Sequence, residues 1–156
     1  MRRALRLGLA VGVLIAGFVG FTVWVAGEFK SLEPHFAGQC KVVAGVVGTE
    51  DITIHPETAI AYISSDDRRA QRAGNPVQGG IWAYDLKNQA GEPVNLTPDL
   101  KFPFHPHGIG LLADGEGGEL MVVNHRGGGV FGATEDTIEV FAVTPNGLKH
   151  VRTVKG

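Results

Sequence analysis

"DITIHPETAIAYISS", Asp51 to Ser65, carries the pattern that decides the fold. "DITI" alternates polar and apolar residues, "HPET" is a proline-containing turn, and "AIAYISS" resumes the apolar run. Two short strands joined by a turn are expected here. Outward from this stretch the rhythm continues. A polar loop, "DDRRAQRAGNPVQGG", leads to "IWAYDL", which is alternating and aromatic. The second half has "GIGLL", the turn "ADGEGGE", "LMVVNH", a glycine loop and "TIEVFAV". Helical periodicity is absent outside the N-terminal segment, and glycine and proline punctuate the chain densely.

Ile81 of "IWAYDL" and Ile138 of "TIEVFAV" hold matching places in the two halves. The interval between them is close to the period of ~50 residues, with several strands per unit, that suits β-propeller blades. An ordinary β-sandwich is the alternative. Propellers close with about 4–8 blades, and this chain has room for roughly two. Two blades leave apolar sheet faces and strand edges uncovered. The expectation is therefore the N-terminal part of a larger propeller.

Residues 1–27 stand apart. Arg2, Arg3 and Arg6 precede an uncharged apolar run from Leu7 to Gly27. That length matches the ~20 residues needed to cross a bilayer core, and the arginines favour a cytoplasmic N-terminus with the remainder exported. The expected division is a transmembrane anchor or signal segment over 1–27 and a propeller portion over 28–156. An uncleaved anchor fits the length better than a cleaved signal, although Val25-Ala26-Gly27 would serve as a small-residue cleavage site. The propeller would then lie on the periplasmic or extracellular side, or be secreted if the segment is cleaved.

Setting that segment aside removes three arginines and no acid, which leaves 11 basic against 16 acidic residues and a net of −5. No basic stripe remains for nucleic acid. An acidic exported domain suits divalent cations, and solubility alone also accounts for the charge. Cys40 is the single cysteine. It reads as a thiol whose partner is missing, as a free thiol, or as a small buried hydrophobe.

Chemistry-bearing residues gather in three places. Glu50 and Asp51 sit just before a strand, where successive side chains of extended backbone point to opposite sides. They would serve two sites rather than chelate one ion; the plainer reading is a solvated turn. Both are hard oxygen ligands suited to Ca²⁺, which takes about 6–8 oxygens. His105 and His107, in "FHPHGIG", could share one side of an extended segment as a zinc arrangement, but no third ligand is close in sequence. His125, at the end of an apolar strand, could meet one of them at a sheet rim. One imidazole would then take a proton from water while the other tunes its basicity. Structural histidines are the plainer alternative, and His35, His55 and His150 are read as such.

Taken together, "QCKVVAGVVGTEDITIHPETAIAYISSDD", "GGIWAYDL", "FHPHGIGLL" and "LMVVNHRG…TIEVFAV" resemble the N-terminal part of the paraoxonase/arylesterase family. The likeness runs over about residues 36 to 156. It implies an all-β fold, a six-bladed calcium-dependent propeller, with roughly two blades present here behind one N-terminal hydrophobic helix. It implies two Ca²⁺ ions in a central tunnel. Glu50 matches the family's ligand to the catalytic calcium, Asp51 the ligand to the structural one, and Ile109 a residue whose carbonyl also reaches the structural ion. His107 and His125 match the catalytic histidine dyad proposed to generate hydroxide. Cys40 matches a cysteine that, in animal members, bonds to one near the C-terminus; that partner is absent from this chain. His105 stands where relatives carry asparagine, and "DDRRAQRAGN" lacks the tyrosine of the animal enzymes' active-site loop. The remaining catalytic-calcium ligands lie downstream in the family. The implied function is calcium-dependent hydrolysis of a small aryl ester or lactone. A non-catalytic exported propeller that binds a partner is the alternative.

Overall fold

The computed structural model describes residues 2–33, 35–75, 77–126 and 136–155. The chain divides into two compact units, residues 1–40 and 41–156. The first holds helix α1, Arg2–Ala26. Its mean hydropathy over the most apolar stretch is 2.3 and none of that stretch is buried, so it is long and apolar enough to cross a membrane. A signal sequence would look the same.

The second unit is β-rich. Strands β1 (Thr49–Ile54), β2 (Ile60–Ser65), β3 (Gly80–Asp85) and β4 (Val94–Asn95) form one antiparallel sheet in chain order. Strands β5 (Pro106–Asp114), β6 (Gly117–Asn124), β7 (Thr137–Thr144) and β8 (Gly147–Lys155) form another, also in chain order. The first three strands of the two sheets begin at one constant interval: Thr49 and Pro106, Ile60 and Gly117, Gly80 and Thr137. The spacing read between Ile81 and Ile138 is thus the spacing of two copies of one four-stranded unit.

The turn in "DITIHPETAIAYISS" closes as its residues require. Ala59 N–H donates to the His55 carbonyl at 2.9 Å, and His55 N–H to that of Ile60 at 2.9 Å, with Ala59 at a positive φ of 60°. His55 itself is fully buried. Its Nε2 lies 3.0 Å from the Gly117 carbonyl, and Nδ1 accepts from Glu57 N–H at 3.3 Å. The imidazole is therefore a structural tie between the hairpin of the first sheet and the β5–β6 turn of the second.

Between the sheets lie Tyr62, Ile81, Phe104, Leu120, Val122, Phe141 and Val143. Phe104 and Phe141 are fully buried and meet edge to face, 5.8 Å between centroids. Full burial of such a side chain stabilises by about 1.5–3 kcal/mol, so this cluster sets the packing of one sheet on the other. Ala61, Ile63 and Tyr84 form a second cluster with Trp82 and Leu86. Both faces of β2 are therefore covered, which its unbroken apolar run anticipates.

Two local features depart from the sequence reading. Glu50 and Asp51 do not precede a strand; they lie inside β1, in a bulge between Thr49 and Ile52. An equivalent bulge lies in β5 between Pro106 and Ile109. The polar loop after β2 contains a short helix, α2, Arg68–Arg72, started by Asp67, whose carboxylate accepts from Ala70 N–H at 2.9 Å. Five residues are too few for a periodic pattern to show, so only the Asp67 cap marks it.

Candidate functional site

The two bulges face each other. β1 packs beside β5, and each bulge adds one residue to its strand, which breaks the alternation and re-aims the side chains within it. The first bulge carries Glu50 and Asp51, and the second carries His107 and Gly108.

Gly48 and Gly79 permit the close approach around these bulges. Gly48 has φ of 63°, and a Cβ there would fall 2.1 Å from the Asp66 carbonyl oxygen. That contact lays the segment after β2 across the start of β1, which carries Arg68 over Glu50. A Cβ on Gly79 would fall 2.5 Å from Cδ of Pro106, so only glycine lets the entry to β3 reach the start of β5.

His107 Nδ1 lies 3.0 Å from Glu50 Oε1 and 2.8 Å from a guanidinium nitrogen of Arg68. Arg68 also pairs directly with the Glu50 carboxylate. Arginine only donates and a carboxylate only accepts, so Nδ1 serves one of them at a time. Carrying a proton, it donates to Glu50 and leaves a lone pair on Nε2, which lies 3.4 Å from the Arg68 guanidinium. Without one, it accepts from Arg68 and the proton sits on Nε2. The Glu50-bound tautomer is the one that could act as a base.

The rings of His107 and His125 meet edge to face, with centroids 4.0 Å apart and planes at 84°. His125 follows the last residue of β6 and hangs at the rim, half exposed. Its Nδ1 lies 2.5 Å from Asp136 Oδ1, so it too has a carboxylate behind it and a free Nε2 in the neutral form. Burial, then the fields of His125 and Arg68, push His107 down to about 4, against opposing pulls from Asp66 and Asp136. It is a neutral imidazole near pH 7.

His105 takes a different place. Its Nδ1 lies 3.0 Å from Asp66 Oδ1, and Gln71 of α2 reaches the same ring. Its N–H donates to the buried Asn124 side chain at 2.8 Å, and its carbonyl accepts from His125 N–H at 3.1 Å. His105 therefore holds the backbone that presents His125. Asp66, Arg68, Gln71, Asn124 and Asp136 belong to this cluster and carry no sequence signal of their own. Their loops come together only once the sheets pack.

Asp51 also reaches the β5 bulge, but at a different residue, and the separation comes from the bulge rather than from strand alternation. Its carboxylate accepts from Ile109 N–H at 2.9 Å and from Ile52 N–H at 2.9 Å. Ile109 thus meets Asp51, but through its N–H. Among the described residues, no three of His, Cys, Asp and Glu gather as a metal site. Glu50 is held by Arg68, and Asp51 is occupied by backbone donors. These donors do not by themselves make a calcium shell of about 6–8 oxygens. Cys40 is exposed and is not disulfide-bonded.

A cavity of about 490 Å³ opens beside the cluster, bordered by Glu50, Asp66, Arg68, Arg69 and Arg72. Its size suits a small organic molecule. No protein-family model matches the chain, and no curated protein is significantly similar to it.

Proposed function

We propose that this chain is part of a hydrolase of aryl esters or lactones, built on a β-propeller and anchored in a membrane by α1. The observation that carries the reading is the His107–His125 contact. Two histidines from separate segments stand ring to ring at a sheet rim, each with a carboxylate on Nδ1. In that arrangement Glu50 fixes the tautomer of His107 and Asp136 that of His125. Nε2 of His107, turned from Arg68, accepts the proton of an attacking water, and the Glu50 carboxylate on Nδ1 stabilises the resulting imidazolium. The cavity beside Glu50 and Arg68 is the place for the ester.

Calcium belongs to the proposal through the family resemblance. When bound, it would supply electrostatic stabilisation of the ester oxygen. The donors at Glu50, Asp51 and Ile109 fall short of its shell of about 6–8 oxygens. The propeller reading is supported by the constant interval between equivalent strands of the two sheets. It is supported too by Val123, Ile138 and Val154, an in-register row across β6, β7 and β8 that remains 36%, 41% and 44% exposed. Such a row suits cover by a further sheet.

A second reading, a non-catalytic propeller that binds a partner, draws on the Arg68–Glu50 pair, which occupies a carboxylate the hydrolase would need. Assay the full chain in detergent with phenyl acetate and a medium-chain lactone, with calcium and with chelator. Turnover that calcium raises and His107→Gln removes supports the hydrolase. Absence of turnover on both substrates under both conditions leaves the binding module.

A further inference from the structure

At the end of the sheets away from the histidines, a second cavity of about 460 Å³ lies between them. The start of β2, the end of β3 and β4 form one side, and the β7–β8 turn forms the other. Ile60, Ala83, Val94 and Leu96 make it apolar. Tyr62 also lines it, only 5% exposed, and among the described residues its hydroxyl has no hydrogen-bond partner. The Tyr62 hydroxyl is not among the buried unpartnered atoms, so it is open to whatever enters the cavity and offers it a donor and an acceptor.

The charge of the rim is one-sided. Asp85 and Glu92 border the cavity, and no lysine, arginine or histidine among the described residues does. Asp85 is partly engaged, accepting from Lys87 N–H at 2.8 Å, while Glu92 is exposed and has no partner among the described residues. The nearby Lys87 ammonium is bonded to the Glu57 carbonyl at 3.2 Å. Burial raises the Tyr62 phenol, so it stays a neutral donor and acceptor.

We infer that this cavity binds a small organic ammonium with an apolar body. The ammonium donates to the Tyr62 hydroxyl oxygen and faces Glu92 and Asp85, while the body rests on Ile60, Ala83, Val94 and Leu96. An anionic ligand of the same shape would meet two carboxylates and no cation. The inference is independent of the hydrolase reading, since none of these residues belongs to the histidine cluster.

Titrate the full chain in detergent with 2-phenylethylammonium, and with 2-phenylethanol and phenylacetate as neutral and charge-reversed bodies of similar shape. The ammonium should bind about tenfold more tightly than the carboxylate, with the alcohol between them. Tyr62→Phe should weaken the ammonium about fivefold, the scale of one hydrogen bond. Glu92→Lys should weaken it by about as much and narrow the preference over phenylacetate. Circular dichroism melting shows whether Tyr62→Phe is folded; Glu92 is on an exposed loop, so its variant decides the matter if Tyr62→Phe is not. No saturable ammonium binding, no preference over the carboxylate, or affinity unchanged by Glu92→Lys would each overturn the inference.

Discussion

Glu50 and His107 occupy the same place in two successive sheets, and their side chains meet at 3.0 Å. Each is the second residue of its sheet's first strand, inside the bulge of that strand. Arg68 and His125 are separated by the same interval along the chain, each just past the end of a second strand. The cluster is therefore two repeat-related pairs brought face to face. One unit supplies the acid and guanidinium and the other supplies the imidazoles. A repeated backbone makes equivalent positions neighbours, and divergence of their side chains supplies the chemistry.

If the histidines act as a unit, His107→Gln and His125→Gln should each reduce ester hydrolysis by roughly 10²–10⁴-fold. The double variant should be little worse than the worse single, because a shared function is lost once. His105→Asn should be mild, since its backbone bonds to Asn124 and His125 survive. Steady-state kinetics on phenyl acetate decide this. Additive losses, or an essential His105 with a dispensable His125, would show that the wrong pair has been chosen.

Glu50 and Asp51 should separate by readout although adjacent. Glu50 is partly exposed and pairs with Arg68 and His107, so Glu50→Ala should lower activity with little change in melting temperature. Asp51 receives two backbone N–H groups, so Asp51→Ala should cost about 1.5–3 kcal/mol of stability. Arg68→Ala frees the Glu50 carboxylate and should tighten calcium if Glu50 is a calcium ligand. Turnover of phenyl acetate, together with thermal melts with and without calcium, across the three variants measures all of this. Indistinguishable profiles for Glu50→Ala and Asp51→Ala would refute the two-site assignment.

The helix Arg2–Ala26 is expected to keep the protein in the membrane fraction with its β-unit exported, the outcome that its length and the arginines in its first turns favour. Fractionation with sequencing of the mature N-terminus tests it. A soluble product that begins near Glu28 would exclude the anchor while leaving export intact.

Much of the fold is legible in the residues alone. The alternation of "DITI" and "IWAYDL" places strands, and the Ile81–Ile138 spacing measures the repeat. The bulges are not legible. They arise from how Thr49 and Pro106 register against Ser65 and Asn124 on partner strands, which no single strand encodes. For the same reason His107 and His125 can be suspected as a pair, whereas Arg68 and Asp136 cannot. An arginine in a polar loop and an aspartate after a glycine loop look like solvated surface until packing brings them to an imidazole.

Glu139 supports the last expectation, on acid stability. It is fully buried on β7, and burial alone would raise its carboxyl. Hydrogen bonds outweigh burial and hold it down at about 2. Thr153 donates at 2.5 Å, Thr137 at 2.8 Å and Asn124 at 3.2 Å, with His150 Nε2 at 2.9 Å. Arg126 adds a guanidinium N–H at 3.2 Å. Asn124 also carries His105, so this carboxylate supports the loop that presents the histidines. A depressed folded pKa means the stabilisation is full above the unfolded carboxyl value of about 4.3 and is lost as pH falls through about 2. Glu139→Gln keeps one acceptor but turns an amide N–H₂ toward groups that donate, which should cost about 2–4 kcal/mol near pH 7. Compare melts of the two proteins from pH 7 down to 2. The wild-type advantage should hold to about pH 4.5 and shrink steadily below it, with the other carboxylates cancelling in the comparison. A difference between the two proteins that stays constant over that range would mean that Glu139 is not held as an anion by this network.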